Sequence, residues 1–188
     1  MPYRQDTASL GGGVYNEGPL TVTHSTVRDN TAGGGGGFCS VRGGPLTVTH
    51  STVSGNTARN GGGLSKAYGP LTLTSSIVAS NAGGGDCDDY RESVTSRGYN
   101  LDSDTSCRLT AATDRPGVDP LLGPLQDNGG LTLTHALLPG SPAIDAIPFG
   151  TNGCGTTHIA DQRGQARPQP AGGPVTSGPM KSRSTGNR

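Results

Sequence analysis

The stretch PLTVTHSTVRDNTA, Pro19 to Ala32, returns as PLTVTHSTVSGNTA from Pro45 to Ala58 and as PLTLTSSIVASNAG from Pro70 to Gly83. The offsets are 26 and 25 residues. A glycine triplet and a short apolar start precede each copy: Gly11–Gly13 before Val14, Gly35–Gly37 before Phe38, Gly61–Gly63 before Leu64. Inside each copy apolar and polar residues alternate with period two, the pattern of a strand with one buried face. Leu20, Val22, Leu46, Val48, Leu71 and Leu73 are read as inward. Thr21, Thr23, Thr47, Thr49, Thr72 and Thr74 are read as an outward threonine array. Each unit then holds three short strands, and coils stacked about 4.8 Å apart bring every residue over its equivalent. No single coil could bury its own aliphatics, whereas a stack of them forms a continuous column.

The corners fit this reading. Asn30, Asn56 and Asn81 recur at one position, after the strands carrying Val27, Val53 and Val78. Asparagine tolerates the left-handed backbone of a sharp corner, and stacked amides can bond from coil to coil as a structural ladder.

Composition narrows the choice further. Among 188 residues there are 33 Gly, 14 Pro, two Phe, five Tyr and no Trp, so a bulky aromatic core cannot be built. A thin stack of small aliphatics can. Formal net charge is zero, with 14 basic and 14 acidic residues, which removes the electrostatic footprint of a nucleic-acid binder. No apolar run has the length of a membrane span. The opening MPYRQDTASL has no apolar h-region, so a signal peptide is not expected within this stretch. Four dispersed cysteines, Cys39, Cys87, Cys107 and Cys154, lack zinc-site spacing and point to an oxidising compartment.

The expected fold is all-β: a right-handed parallel β-helix of about three coils, with almost no helix, followed by an irregular C-terminal capping module and a disordered tail. The domain boundaries expected are coils over 1–83, a Cys-bracketed excursion over 84–113, a C-terminal module over 114–169 and the tail over 170–188. The chain is expected to be a monomer.

The GGG-[VFL] strand followed by PLTVT-x-STV-x-x-NTA resembles the degenerate repeats of bacterial surface β-helix proteins, including the polymorphic outer-membrane type. The later segments DCDDY, GYNLDSDTSC, VDPLLGPLQDNGGLTLTHALLPGSPAIDA and DQRGQARPQ resemble the C-terminal module of choice-of-anchor Q proteins. Together the resemblance covers roughly residues 8 to 169. It implies a large exported protein, extracellular or at the cell surface, with no established enzymatic activity. It also implies upstream coils, a signal peptide and an anchor, which are expected to lie outside this stretch of sequence. A surface glycan, or a component of a host or neighbouring cell, is the partner expected.

Candidate chemistry is sparse. Cys87 and Cys107 stand 20 positions apart and bracket a stretch rich in Asp and Ser, and a disulfide closing that loop would stabilise the fold by about 3 kcal/mol on the chain-entropy model. Cys39 stands where other coils have Tyr15 and Ser65 and reads as a structural thiol. Asp102 and Asp104, with Asp86, Asp88 and Asp89 nearby, make calcium the one candidate cofactor. The loop lacks the glycine and distal glutamate of a calcium loop, so capped turns are the competing reading. His24 and His50 share one repeat position, with Ser75 in the third coil, and read as a surface stack. No catalytic residue is assigned. The alternative function, a polysaccharide lyase or glycoside hydrolase, needs clustered carboxylates with a basic residue on one face. A more remote alternative is an ice-binding face built from the Thr-x-Thr pairs.

The tail departs from the family. After DQRG the related chains proceed to Cys-Asp-Ile-Gly-Ala-Phe/Tyr-Glu, whereas this one continues to AGGPVTSGPMKSRSTGNR. Read one base earlier, the codons of Val175 to Lys181 can spell Cys-Asp-Ile-Gly-Ala-Tyr-Glu at every position. A frameshift just upstream is therefore expected, and the lost cysteine would have been the partner of Cys154.

Overall fold

A computed structural model describes residues 8–89 and 94–167. It is an all-β parallel solenoid of about four turns. The first sheet stacks β1 (Ala8–Leu10), β5 (Thr31–Gly34), β9 (Thr57–Asn60) and β13 (Ala82–Gly83). The second stacks β2 (Val14–Asn16), β6 (Phe38–Ser40), β10 (Leu64–Lys66) and β14 (Cys87–Asp89). The third holds β3 (Leu20–Thr23), β7 (Leu46–Thr49), β11 (Leu71–Thr74) and β15 (Thr95–Ser96). The fourth holds β4 (Thr26–Arg28), β8 (Thr52–Ser54), β12 (Ile77–Ala79), β16 (Leu101–Asp102) and β17 (Arg115–Pro116). Register follows the repeat: Leu20, Leu46 and Leu71 are aligned, as are Val27, Val53 and Val78.

Each coil has four strands where three were expected. The stretch PLTVTHSTV is broken by one left-handed residue, His24, His50 or Ser75, with φ of 49°, 48° and 49°. That single residue turns the chain from the third sheet into the fourth. The asparagines do not take the left-handed conformation expected of them. It falls on the residue before each, Asp29, Gly55 and Ser80, at φ of 57°, 64° and 59°. The asparagine side chain is thereby free to point along the stack.

The glycine triplets are set by close backbone approach. A Cβ on Gly36 would collide with the Gly62 carbonyl oxygen, while Gly36 and Gly37 donate amide bonds to the carbonyls of Gly61 and Gly62. Only glycine permits that spacing at both rungs.

Described strands within the segment 84–113 continue the stack. Cys87 pairs with Leu64, Thr95 with Thr72 and Leu101 with Ile77, so β14, β15 and β16 add a further coil. A disulfide joins Cys87 to Cys107 with Cα atoms 4.8 Å apart. Both sulfurs, with Val94 and Leu109, lie in the same apolar cluster as Leu71, Leu73 and Val78. Burial, and not loop closure alone, therefore orders Cys87, Val94, Cys107 and Leu109.

The C-terminal module lies on the outer face of the fourth sheet. β18 (Leu122–Gln126) and β19 (Thr134–Leu137) form an antiparallel pair. Leu137 and Ala143 join Ile77, Ala79 and Leu101 in a second apolar cluster. A single 3-10 turn, Thr151–Gly153, is the only helical element among the described residues. No helix there is long and apolar enough to cross a membrane. The expected tail, 170–188, and the frameshift position lie outside the described residues.

Candidate functional site

The solenoid carries two polar ladders, and both end on aspartate. In the first, Asn30 donates its backbone N–H and its Nδ2 to Asn56 Oδ1 at 3.1 and 2.9 Å. Asn56 donates in the same way to Asn81 Oδ1 at 3.0 and 2.9 Å, and Asn81 to Asp86 Oδ1 at 3.0 and 2.9 Å. The second ladder, not anticipated from the sequence, runs Ser25, Ser51, Ser76, Asn100, Asp114. Each backbone N–H reaches the next side-chain oxygen, at 3.1, 3.2, 3.0 and 3.0 Å. A terminal rung must accept bonds and has no further rung to donate to, which suits a carboxylate.

Three of the acidic residues at this end, Asp86, Asp102 and Asp104, are occupied by such bonds. Asp86 Oδ2 accepts from the Ser103 amide and hydroxyl, both at 2.7 Å. Asp102 accepts the amides of Cys107 at 3.0 Å and Gly117 at 3.2 Å. It stands in register with the inward Val78, so it closes the column with a carboxylate whose bonds go to the returning chain. Asp104 accepts from Ser106 through its amide and hydroxyl, and from the Asp86 amide. Burial raises the pKa of Asp86 and Asp102. Asp104 is also partly desolvated, yet the Ser106 bonds hold its carboxyl below the usual range. Among the described residues no three His, Cys, Asp or Glu converge as metal ligands.

The threonine array is less open than its sequence pattern suggests. Thr21 is exposed and Thr47 and Thr72 are half-buried, but Thr74 is buried. The flat face is therefore interrupted at its third rung. Cys39 is free and buried, in register between Tyr15 and Ser65.

The densest cluster of reactive side chains was missed. His24 and His50 do stack, with ring centroids 5.5 Å apart and planes 16° from parallel. They are not a surface stack, however, because the segment 148–167 folds across them and His50 is wholly buried. His158 meets both rings edge-on, 4.9 Å from His24 and 4.5 Å from His50. Asn152 O lies 3.1 Å from His50 Nε2 and Arg167 Nη1 lies 3.3 Å from His50 Nδ1. The thiol of Cys154, buried and free, sits 3.5 Å from both ring nitrogens. Burial drives the His50 pKa down to about 3 and that of His24 to about 4, and lowers that of His158. Nothing local in the sequence joins residues 24 and 50 to 154, 158 and 167.

A second histidine ties the module to the sheet. His135 Nδ1 donates to Gly123 O at 2.6 Å, and its Nε2 lies 3.2 Å from Ser54 Oγ. Although this is a Ser–His pair, both side chains are buried, and a backbone carbonyl takes the place of an orienting carboxylate. Beside Thr26 the module leaves a groove of about 670 Å³, bordered by His24, Leu131, Leu133, Asp161 and Arg163. Asp161 is spent on Arg163, at 2.7 Å.

No family model matches this chain, and neither a curated protein nor a solved structure does.

Proposed function

We propose that this chain is a non-catalytic structural or adhesive β-helix module of a secreted or cell-surface protein, of the choice-of-anchor Q kind. The observation that carries the reading is the fate of the acidic side chains. Asp86, Asp102 and Asp104, three of the residues most like a catalytic or calcium-binding cluster, accept amide and hydroxyl bonds that end a ladder and close the column, and Asp114 ends the second ladder in the same way. A carboxylate holding several backbone N–H groups is structural by chemistry and poorly placed to move a proton. The Cys87–Cys107 disulfide agrees with export. What the module offers a partner is a rigid wall of strands with small hydroxylated side chains, suited to weak, repeated contacts with a surface glycan.

A glycan array run beside reducing-end and unsaturated-product assays tests this reading. Retention of a glycan without product is the expected outcome. Turnover of any polysaccharide would replace it with the lyase or hydrolase reading. Calcium enters as a ligand of Asp102 and Asp104 only if it displaces their amide bonds, so a calcium titration should leave the melting temperature unchanged. The family assignment carries its own test. Resequenced codons at 174–181 should spell Cys-Asp-Ile-Gly-Ala-Tyr-Glu in the neighbouring frame, and codons that cannot do so end the frameshift idea.

A further inference from the structure

Segment 148–167 is a strap laid over the corner between the third and fourth sheets; Thr26 Oγ1 donates to its Gln162 Oε1 at 2.8 Å, and imidazoles supply a large part of the rest of its grip on coils one to three. Asn152 Nδ2 donates to Ser75 Oγ at 2.9 Å, Asn152 O meets His50, and His158 wedges against both stacked rings. The bonding fixes the chemical state of His50. A carbonyl oxygen at Nε2 requires N–H there, and a guanidinium donor at Nδ1 requires a lone pair there. The ring is therefore neutral, protonated on Nε2 alone, with both nitrogens satisfied. A second proton has no place, because it would enter at Nδ1 directly against Arg167 Nη1–H. His24 offers no relief, since its buried Nε2 has no acceptor among the described residues.

From this geometry we propose that the His24–His50–His158 cluster is an acid-sensitive latch, which holds the strap on the solenoid while the imidazoles are neutral and lets it lift when they take protons. The charged and titratable groups around it point the same way. From the strap, Arg167 adds a buried positive charge, and the Cys154 thiol, pushed up by burial, stays neutral. Asp161 is the one carboxylate that favours protonation of His24, and Arg163 already neutralises it. From the corner come His24, His50 and, one coil beyond Ser75, Tyr99, which packs against Ile147 and the strap's Cys154. The sign follows from linkage. Both histidines titrate lower in the closed state than in the open one, so the open state binds more protons across the interval between. Closure is complete above about pH 6.5, the ordinary histidine value, and weakens as pH falls toward the value near 4 held by His24. Each such histidine raises the opening constant about tenfold per pH unit within that window.

Hydrogen exchange of the amides at 150–167, corrected for intrinsic rates, measures the opening directly. Between pH 7.5 and 4.5 the opening constant should rise about 100-fold through His50 alone. In the H24Q/H50Q double variant the rise should largely disappear. His135 serves as the internal control: its bonds to Ser54 and Gly123 lie under the other arm of the module, so H135Q should keep the pH slope of the strap. A pH-independent opening constant in the unaltered chain, or an unchanged slope in H24Q/H50Q, overturns the latch. If the double variant does not fold, imidazole NMR of the unaltered chain decides. Rings that stay neutral down to pH 5 support the latch, and ordinary titration near pH 6.5 sinks it.

Discussion

The two ends of the solenoid are built from the same repeat and finished differently. At the far end the column is shut. Asp102 turns its carboxylate to returning amides, Asp86 and Asp114 terminate the ladders, and the disulfide with Val94 and Leu109 lies over the last aliphatics. At the near end nothing comparable covers the first coil among the described residues. Val14, Leu20, Val22 and Val27 are only partly buried, whereas their equivalents one coil on, Phe38, Leu46, Val48 and Val53, are at most 1% exposed. Burial in a stack thus comes from neighbouring coils and not from the coil itself. One sequence pattern has different energetic weight according to whether a coil lies on both of its sides.

Identical substitutions at equivalent positions should expose that difference most strongly in the column. Val48→Asp places a charge between two coils and should destabilise by more than about 4 kcal/mol, enough to abolish cooperative folding. Val22→Asp, at the half-covered end, lets the carboxylate reach water and should leave a folded protein with a lowered melting point. Circular dichroism melts of the two variants check this, and equal damage would mean that the near end is as closed as the middle.

Breaking the shut end itself comes next in size. C87A/C107A should lose about 3 kcal/mol, the chain-entropy value for a loop of this length. Exchange protection should fall first in β14, β15 and β16 and last in β6 to β9. Loss spread evenly along the solenoid would show that the bond acts on the unfolded chain alone.

The asparagine ladder gives a smaller and sharper contrast. Asn56 is buried and makes bonds in both directions: it accepts from Asn30, and it donates to Asn81 Oδ1, Val27 O and Ser54 O. Asn56→Ala should cost about 3 kcal/mol, because several buried partners lose their bonds together. Among the described residues Asn30 donates but receives nothing from a preceding rung, and Asn30→Ala should cost about 1 kcal/mol. Urea denaturation of both variants, with unchanged m-values, would establish the difference.

How far such contrasts can be read from sequence depends on whether the residues involved are local. The repeat, the inward aliphatics and the Asn30–Asn56–Asn81 alignment are visible because each coil states them again in the same letters. The fourth strand per coil was hidden because its corner residue need only tolerate the left-handed region, and His, His and Ser all do. The Cys-bracketed segment looked polar, yet its few apolar residues, Val94, Leu101 and Leu109, all fall on the column or its covered face. The imidazole cluster lay beyond reach: His50 and Arg167 are 117 residues apart and no spacing rule connects them.

The serine ladder gives the smallest effect and the closest test of the two-ended view. It was hidden although Ser25, Ser51 and Ser76 repeat faithfully, because the position changes to Asn100 and then Asp114 as the stack ends. Ser76 Oγ accepts the Ser51 amide and donates to Thr74 O at 2.8 Å, all within buried surroundings, so Ser76→Ala strands a buried N–H and should cost about 1–2 kcal/mol. Ser25 Oγ donates to Thr23 O at 2.9 Å, but among the described residues no amide donates to it, and the site is only half-buried. Water can replace its one bond, and Ser25→Ala should change stability by about 0.5 kcal/mol or less. Paired thermal melts measure both. A Ser25→Ala loss as large as that of Ser76→Ala would mean that the first coil feels the weight of a neighbour on its open side.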